Sequence, residues 1–410
     1  MWALAAVLFP VGAAIGQEVR KPRLQSVWSI DGGALGSAGW LETTIAITPH
    51  GILIDGMVMK GERQHEIIRS FDLKTGQPNG IIEHPDGKPF EGLGDAIAAN
   101  DRFIVTALHR QPQPGRGGEL LVYDARTLEL LRRIENPRSA DSIFFGLTGV
   151  ALDGDRILAA VTMSTDNTAT AWVFSAETGE VLLTIDEPDV PEVTSGKPSR
   201  SFFGRALAMN STHIAIAANG RGGAQGLFAR GEVYVFDAST GSLLHRIKPP
   251  AENKATGFGA TMAISDDRLH VSGLEPAGEM AWPAGQVYAF DLATGDLVYT
   301  LTEPDLPESI EEVGAGNEGT AFPTDLRVGG SMLYSGLPWW TGDKRKQGGL
   351  IVFDAHSGER LFSYQHRSGE EYATFGRAIA AGRGYLAVME EKRVDRMPAA
   401  RVHLFRLVLP

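Results

Sequence analysis

The chain has 410 residues, 43% of them hydrophobic, with 49 glycines and no cysteine. The missing cysteines exclude disulfides, iron–sulfur ligation, thiolate zinc sites and cysteine nucleophiles, and a net charge of −12 speaks against nucleic acid or an anionic membrane as partner. Abundant glycine beside an ordinary apolar fraction predicts many short strands separated by turns.

At the N-terminus, Met1 to Gly16 carry no charged side chain and include the apolar run Trp2 to Phe9, and Ala14-Ile15-Gly16 puts small residues where a signal peptidase reads. This predicts a signal peptide over residues 1–16, cleavage near Gln17 and export to the periplasm or beyond. No later stretch is long and apolar enough to span a bilayer, so residues 17–410 are expected to form one soluble domain.

Leu24 to Ile30 comes next and resembles the fourth strand of a unit that lacks its first three. Seven apolar runs then each end in an aromatic followed by a turn, at Phe71, Tyr123, Phe174, Phe236, Phe290, Phe353 and Phe405, spaced 51 to 63 residues apart. The fullest copies read Val233-Tyr-Val-Phe-Asp-Ala-Ser-Thr-Gly241 and Val287-Tyr-Ala-Phe-Asp-Leu-Ala-Thr-Gly295. In this turn the Asp accepts backbone N–H bonds and the Gly supplies the left-handed residue. The copy at Ser175 replaces the Asp, and the copy at Asp124 to Leu128 lacks the Gly.

A second landmark opens the units: Phe145-Gly146, Phe203-Gly204, Phe258-Gly259 and Phe375-Gly376, with weaker versions at Leu93-Gly94, Gly39-Trp40 and Gly319 to Phe322. It fits an innermost strand where backbones crowd around an axis. In the unit from Phe203 to Ile247, strands are predicted over 205–209, 213–218, 233–236 and 242–247. After Phe405 the chain stops within five residues, so the last unit lacks the fourth strand that the N-terminus supplies. Periods of this size indicate a radial array. The expectation is an all-β, seven-bladed β-propeller of four-stranded antiparallel blades, its ring closed by the N-terminal strand so that no terminal edge is left unpaired.

The alternation of Phe-Gly, a strand, a variable loop and Val-Tyr-x-Phe-Asp-x-x-Thr-Gly resembles the FG-GAP propeller repeats of integrin α-subunits, especially those of secreted bacterial proteins. It is also similar to pyrroloquinoline-quinone-like propeller repeats. The resemblance covers roughly residues 24–410 and implies architecture rather than activity. The Ca²⁺ loop that the first family often carries has no counterpart in Ala217 to Gly223 or Ser272 to Pro276, and the tryptophans do not recur at one repeat position as blade-docking tryptophans of quinone enzymes do. Neither calcium nor a quinone is expected; no metal or cofactor is assigned.

Connections between second and third strands, and between blades, vary in length, and in an antiparallel blade both emerge on one face. One-sided variation marks a binding face. Its loops carry Trp282, Trp339 and Trp340, suited to stacking on a sugar or gripping an apolar side chain, and the cations Arg116, Arg221, Arg230, Lys344 and Arg345, suited to an anionic group. His109 is the single histidine placed in this group. No Gly-x-Ser-x-Gly elbow, phosphate loop or metalloprotease helix is present. The leading expectation is a monomeric, non-catalytic propeller that binds a protein or glycan on its loop-rich face. The alternative is a hydrolase or lyase that takes an anionic or sugar-like substrate in the axial funnel.

Overall fold

The computed structural model describes residues 22–31, 44–89, 91–108, 117–138, 145–162, 169–188, 201–218, 231–250, 257–275, 284–302, 325–337, 348–366, 374–394 and 397–408. They form a seven-bladed β-propeller, each blade a four-stranded antiparallel sheet.

Strand β1 (Arg23–Asp31) leads. Blade 1 follows as β2 (Ile45–Ile47), β3 (Ile52–Lys60), β4 (Arg63–Phe71) and β5 (Pro78–Glu83), and blade 2 as β6 (Ile97–Ala99), β7 (Phe103–Leu108), β8 (Glu119–Asp124) and β9 (Leu130–Glu135). Blade 3 is β10 (Phe145–Asp153), β11 (Arg156–Val161), β12 (Thr170–Ser175) and β13 (Val181–Asp186). Blade 4 is β14 (Phe203–Met209), β15 (His213–Ala218), β16 (Glu232–Asp237) and β17 (Leu243–Ile247). Blade 5 comprises β18 (Met262–Ile264), β19 (Arg268–Glu275), β20 (Ala284–Asp291) and β21 (Leu297–Thr302). Blade 6 comprises β22 (Leu326–Gly329), β23 (Met332–Leu337), β24 (Gly349–Asp354) and β25 (Arg360–Gln365). Blade 7 joins the two ends of the fold: β26 (Thr374–Gly382), β27 (Tyr385–Val394) and β28 (Met397–Val408) run outward, and β1 completes the sheet in the order β1-β28-β27-β26.

The closing ladder pairs Arg23 with Val408 and Asp31 with Arg401, with a bulge between Ser26 and Trp28. From that bulge the Trp28 indole N–H donates to the Leu73 carbonyl of blade 1 at 3.1 Å. Trp28 and Ile30 also pack on the cluster of Ile52, Phe71, Ala387 and Leu404.

Seven hydrophobic clusters fill the seven interfaces between neighbouring blades among the described residues. Within them the repeat aromatics meet edge to face, as Phe203 does with Tyr234 and Phe236, and Phe145 with Trp172 and Phe174. These residues are core. In the turns, Asp237 Oδ1 accepts the backbone N–H groups of Ser239 and Thr240, and Gly241 takes φ +71°. Where the Gly is lacking, Leu128 itself adopts φ +62°, in a conformation costly for a residue with a Cβ.

The glycine of the Phe-Gly landmark has a different reason from the expected crowding at the axis. A Cβ on Gly146, Gly204 or Gly259 would meet Ala107, Ala160 or Ala217 at 2.5 to 2.8 Å. Those alanines lie on the second strand of the preceding blade, so the glycine is a blade-to-blade contact. The weaker versions at Gly39-Trp40 and Gly319 to Phe322 lie outside the described residues.

One core group links stability to pH. His270 on β19 is wholly buried, its Nε2 3.0 Å from the Ala355 carbonyl of blade 6 and 3.0 Å from the Tyr299 hydroxyl. Burial pushes it down to about 4, with the Ala355 carbonyl opposing and the Asp267 and Arg268 charges acting in opposite senses. The unfolded chain binds this proton below about pH 6.5 and the folded chain only below about 4. The contribution is therefore complete above pH 6.5 and is lost as pH falls toward 4, by about 3 kcal/mol. His270→Gln should flatten urea-unfolding stability over that window, and parallel pH profiles for the two proteins would refute the assignment.

Candidate functional site

The strand boundaries divide the connections into two populations. First-to-second-strand turns span two to four residues and third-to-fourth-strand turns five or six, whereas second-to-third-strand connections run from two to thirteen and those between blades from eight to twenty-three. Because the strands alternate in direction, the two variable classes share one face. The opposite face is built from self-contained Asp turns and ion pairs; its groove of about 600 Å³ is lined by Asn100, Arg102, Asp155 and Glu177, with Arg102 bonded to Glu177.

Every residue singled out from the sequence for binding, namely His109, Arg116, Arg221, Arg230, Trp282, Trp339, Trp340, Lys344 and Arg345, lies outside the described residues. All nine fall, in sequence, between the second and third strands of a blade.

Below that face, between blades 6 and 7, the structure assembles a group that sequence reasoning missed. His366 follows β25, Glu390 lies on β27 and His403 on β28, and one ligand atom from each lies within 4.8 Å of the others. His403 Nε2 is 2.8 Å from Glu390 Oε2, and His366 Nε2 is 3.5 Å from Glu390 Oε1. Glu390 is fully buried and His403 is 9% exposed.

Register explains why this blade differs. Glu390 pairs with Arg401, two residues before His403, which is itself two residues before the repeat aromatic Phe405. At the Glu390 position the other blades carry Gly56, Leu108, Val161, Ala218, Gly273 and Leu337. At the His403 position blades 3, 4 and 5 carry Trp172, Tyr234 and Tyr288. A buried carboxylate stands where six blades carry glycine or an apolar residue, and an imidazole stands where three carry an aromatic ring.

Aromatic rings hold the imidazoles. His366 stacks on Phe375 at 4.5 Å with 14° between planes, and His403 lies 6.2 Å from Phe405 at 19°. Arg401 reaches Glu390 Oε2 at 3.7 Å while its Nε donates to Asp31 of β1 at 2.7 Å. Burial pushes the Glu390 carboxyl up, but the facing His366 and His403 imidazoles outweigh this and hold it at about 2. Burial drives His403 down, and the Glu390 carboxylate recovers part of that shift. Glu390 is therefore an anion in a place that water does not reach.

The signal that would have found this group is positional: a His where three other blades carry Tyr or Trp, and a Glu ending the apolar run Leu386 to Met389.

No protein-family model and no curated protein matches the chain. Among solved structures, the chain is similar to Kuenenia stuttgartiensis hydrazine synthase at 11% identity and TM-score 0.55, with 89% of this chain and 95% of that one covered. It is similar to uncomplexed Pyrococcus horikoshii acylaminoacyl peptidase at 13% identity and TM-score 0.51, covering 89% of this chain and 52% of the peptidase chain. The β-propeller domain of the Trilobed protease from Pyrococcus furiosus, described as having an open velcro topology, is similar at 13% identity and TM-score 0.49, with 88% and 93% covered. At these identities the likeness extends to architecture alone, and the chain is a β-propeller.

Proposed function

We propose that this protein is an exported, non-catalytic propeller that binds a protein or glycan partner on its loop-rich face. The observation that carries the reading is the one-sided length variation: turns of two to six residues on one face, connections of up to twenty-three on the other. A closed ring holds the strands in place whatever those connections contain, and such loops are where repeat proteins place recognition. The repeat is read as the FG-GAP or quinone-propeller-like type, and residues 1–16 as a signal peptide. No helix among the described residues is long and apolar enough to cross a membrane.

Trp282, Trp339 and Trp340 are the proposed anchors, with Arg116, Arg221, Arg230, Lys344, Arg345 and His109 as polar partners. Tryptophan and arginine dominate binding energy where they are desolvated. The alternative, an enzyme in the axial funnel, draws no support from the His366–Glu390–His403 group, which lies on the two middle strands of blade 7 and just past the last strand of blade 6 rather than on an innermost strand.

Arrays of glycans and of displayed peptides, probed with residues 17–410, test the reading. Replacing all three tryptophans with alanine should weaken any bound glycan or peptide by roughly 30-fold or more. Affinity that survives the triple substitution would overturn the site.

A further inference from the structure

We propose that His366, Glu390 and His403 form a divalent transition-metal site, best suited to Zn²⁺, that pins the last strand region of blade 6 to the closing blade. Two imidazoles and one carboxylate are a recurrent zinc donor set, and water completes the tetrahedron. Zn–N and Zn–O distances near 2.0–2.2 Å place ligand atoms roughly 3.3 Å apart. The donor pairs here stand at 2.8 and 3.5 Å, with all three inside 4.8 Å. Small side-chain adjustments therefore bring them onto one ion.

A second observation points the same way. One hydrogen bond to His403 satisfies Glu390 Oε2, but Glu390 Oε1 and both ring nitrogens of His366 have no hydrogen-bond partner among the described residues. A buried acceptor left unsatisfied is destabilising, and more so when charged. A cation bound to Oε1 and His366 Nε2 would answer both at once. The fold has no need of the arrangement for its own sake, since six blades close with apolar residues at the Glu390 register.

The surroundings suit an ion. Stacking on Phe375 and packing beside Phe405 restrict both imidazoles, as ligand orientation requires. Arg401 approaches the carboxylate from the side and is itself neutralised by Asp31. The ligands come from β27, β28 and the residue after β25, so binding ties blade 6 to the blade that the N-terminal strand completes.

The test uses chelator-treated full-length protein with Zn²⁺ and Co²⁺ as probes. One Zn²⁺ per chain should bind by calorimetry, Co²⁺ should give the visible d–d absorption of a low-coordinate site, and Zn²⁺ should raise the melting temperature. Glu390→Gln, His403→Gln and His366→Gln should each weaken Zn²⁺ by about 100-fold or more, beyond the loss expected for a second-shell partner. His213→Ala, on a strand start at the opposite face, should leave binding unchanged. If Glu390→Gln and His403→Gln fail to fold, His366→Gln decides alone, since its ring lies at the margin of the group. Absence of stoichiometric Zn²⁺ and Co²⁺ binding at micromolar concentration, or wild-type affinity in His366→Gln, overturns the proposal.

Discussion

A chain that begins at residue 32 should not accumulate as a folded monomer. Removing Arg23–Asp31 takes away the ladder that pairs this strand with β28 from Arg23–Val408 to Asp31–Arg401. It removes Trp28, which bonds Leu73 and lies against Gly76 of blade 1, and Ile30, which packs on the same cluster. Losing a well-packed tryptophan alone costs about 3–5 kcal/mol when buried, and the half-buried Trp28 approaches the lower end. Adding the ladder, the total should exceed about 5 kcal/mol, against a whole-domain stability of about 5–15 kcal/mol. The loss also bares the edge of β28 from Arg401 to Val408, and unpaired edges recruit other chains.

Light scattering after size exclusion should show the truncated protein as oligomer or aggregate. A synthetic peptide of residues 22–31, supplied during refolding, should restore monomer by adding the missing strand. A truncated protein that stays monomeric and melts where the full chain does would show that the ring holds without β1.

Gly336→Ala should be the most damaging single methyl addition. An added Cβ would stand 1.9 Å from the Gly376 carbonyl oxygen, a backbone atom that no side-chain rotation can move. Across the same interface, Gly376 of blade 7 at φ +99° would place a Cβ 2.5 Å from the Gly349 oxygen, and Gly348 beside Gly349 of blade 6, at φ +62°, would place one 2.2 Å from the Phe375 oxygen. Elsewhere the register position of Gly336 is filled by Ala107, Ala160 and Ala217, each facing a single glycine. Blades 6 and 7 therefore approach closely at the level of the His366–Glu390–His403 group.

Overpacking of this kind costs about 3 kcal/mol, which lowers the melting temperature of a domain this long by roughly 3–4 °C. Ala217→Gly, at the equivalent register between blades 4 and 5, relieves rather than creates contact and should cost no more than about 1 kcal/mol. A Gly336→Ala melt within about 1 °C of wild type, the shift that ~1 kcal/mol gives in a domain this long, would show that the interface yields.

Much of the architecture was legible because it rests on short-range rules repeated seven times. Asp237 binds the amides two and three residues ahead, and Gly241 follows at positive φ; both effects live within five residues and recur at Asp291 and Asp354. The half-unit at Leu24–Ile30 announced closure because a strand without partners demands one. The His366–Glu390–His403 group stayed hidden for the opposite reason: its members lie 24 and 13 residues apart on elements of two blades, a spacing that no linear ligand motif has. It becomes visible only when blades are laid over one another by hydrogen-bond register, where Glu390 departs from six apolar counterparts. The landmark glycines illustrate a partial reading, since their need was evident but their contact, an alanine of the preceding blade, is a tertiary fact.

The pairing of β1 with β28 has a kinetic side. Arg401 and Asp31, bonded in the finished blade, are 370 residues apart in the sequence. During synthesis the first strand of the fold is made long before the strand that receives it, while six blades can condense from contacts local to each. Loop-closure entropy grows only logarithmically with length, so the equilibrium cost of that late union is modest, but non-local pairing is slow to find. The rate-determining event of folding is then expected to be capture of a waiting strand by a nearly finished ring, and the lifetime of that open intermediate, rather than the stability of any blade, sets how long the edge of β28 is available to other chains.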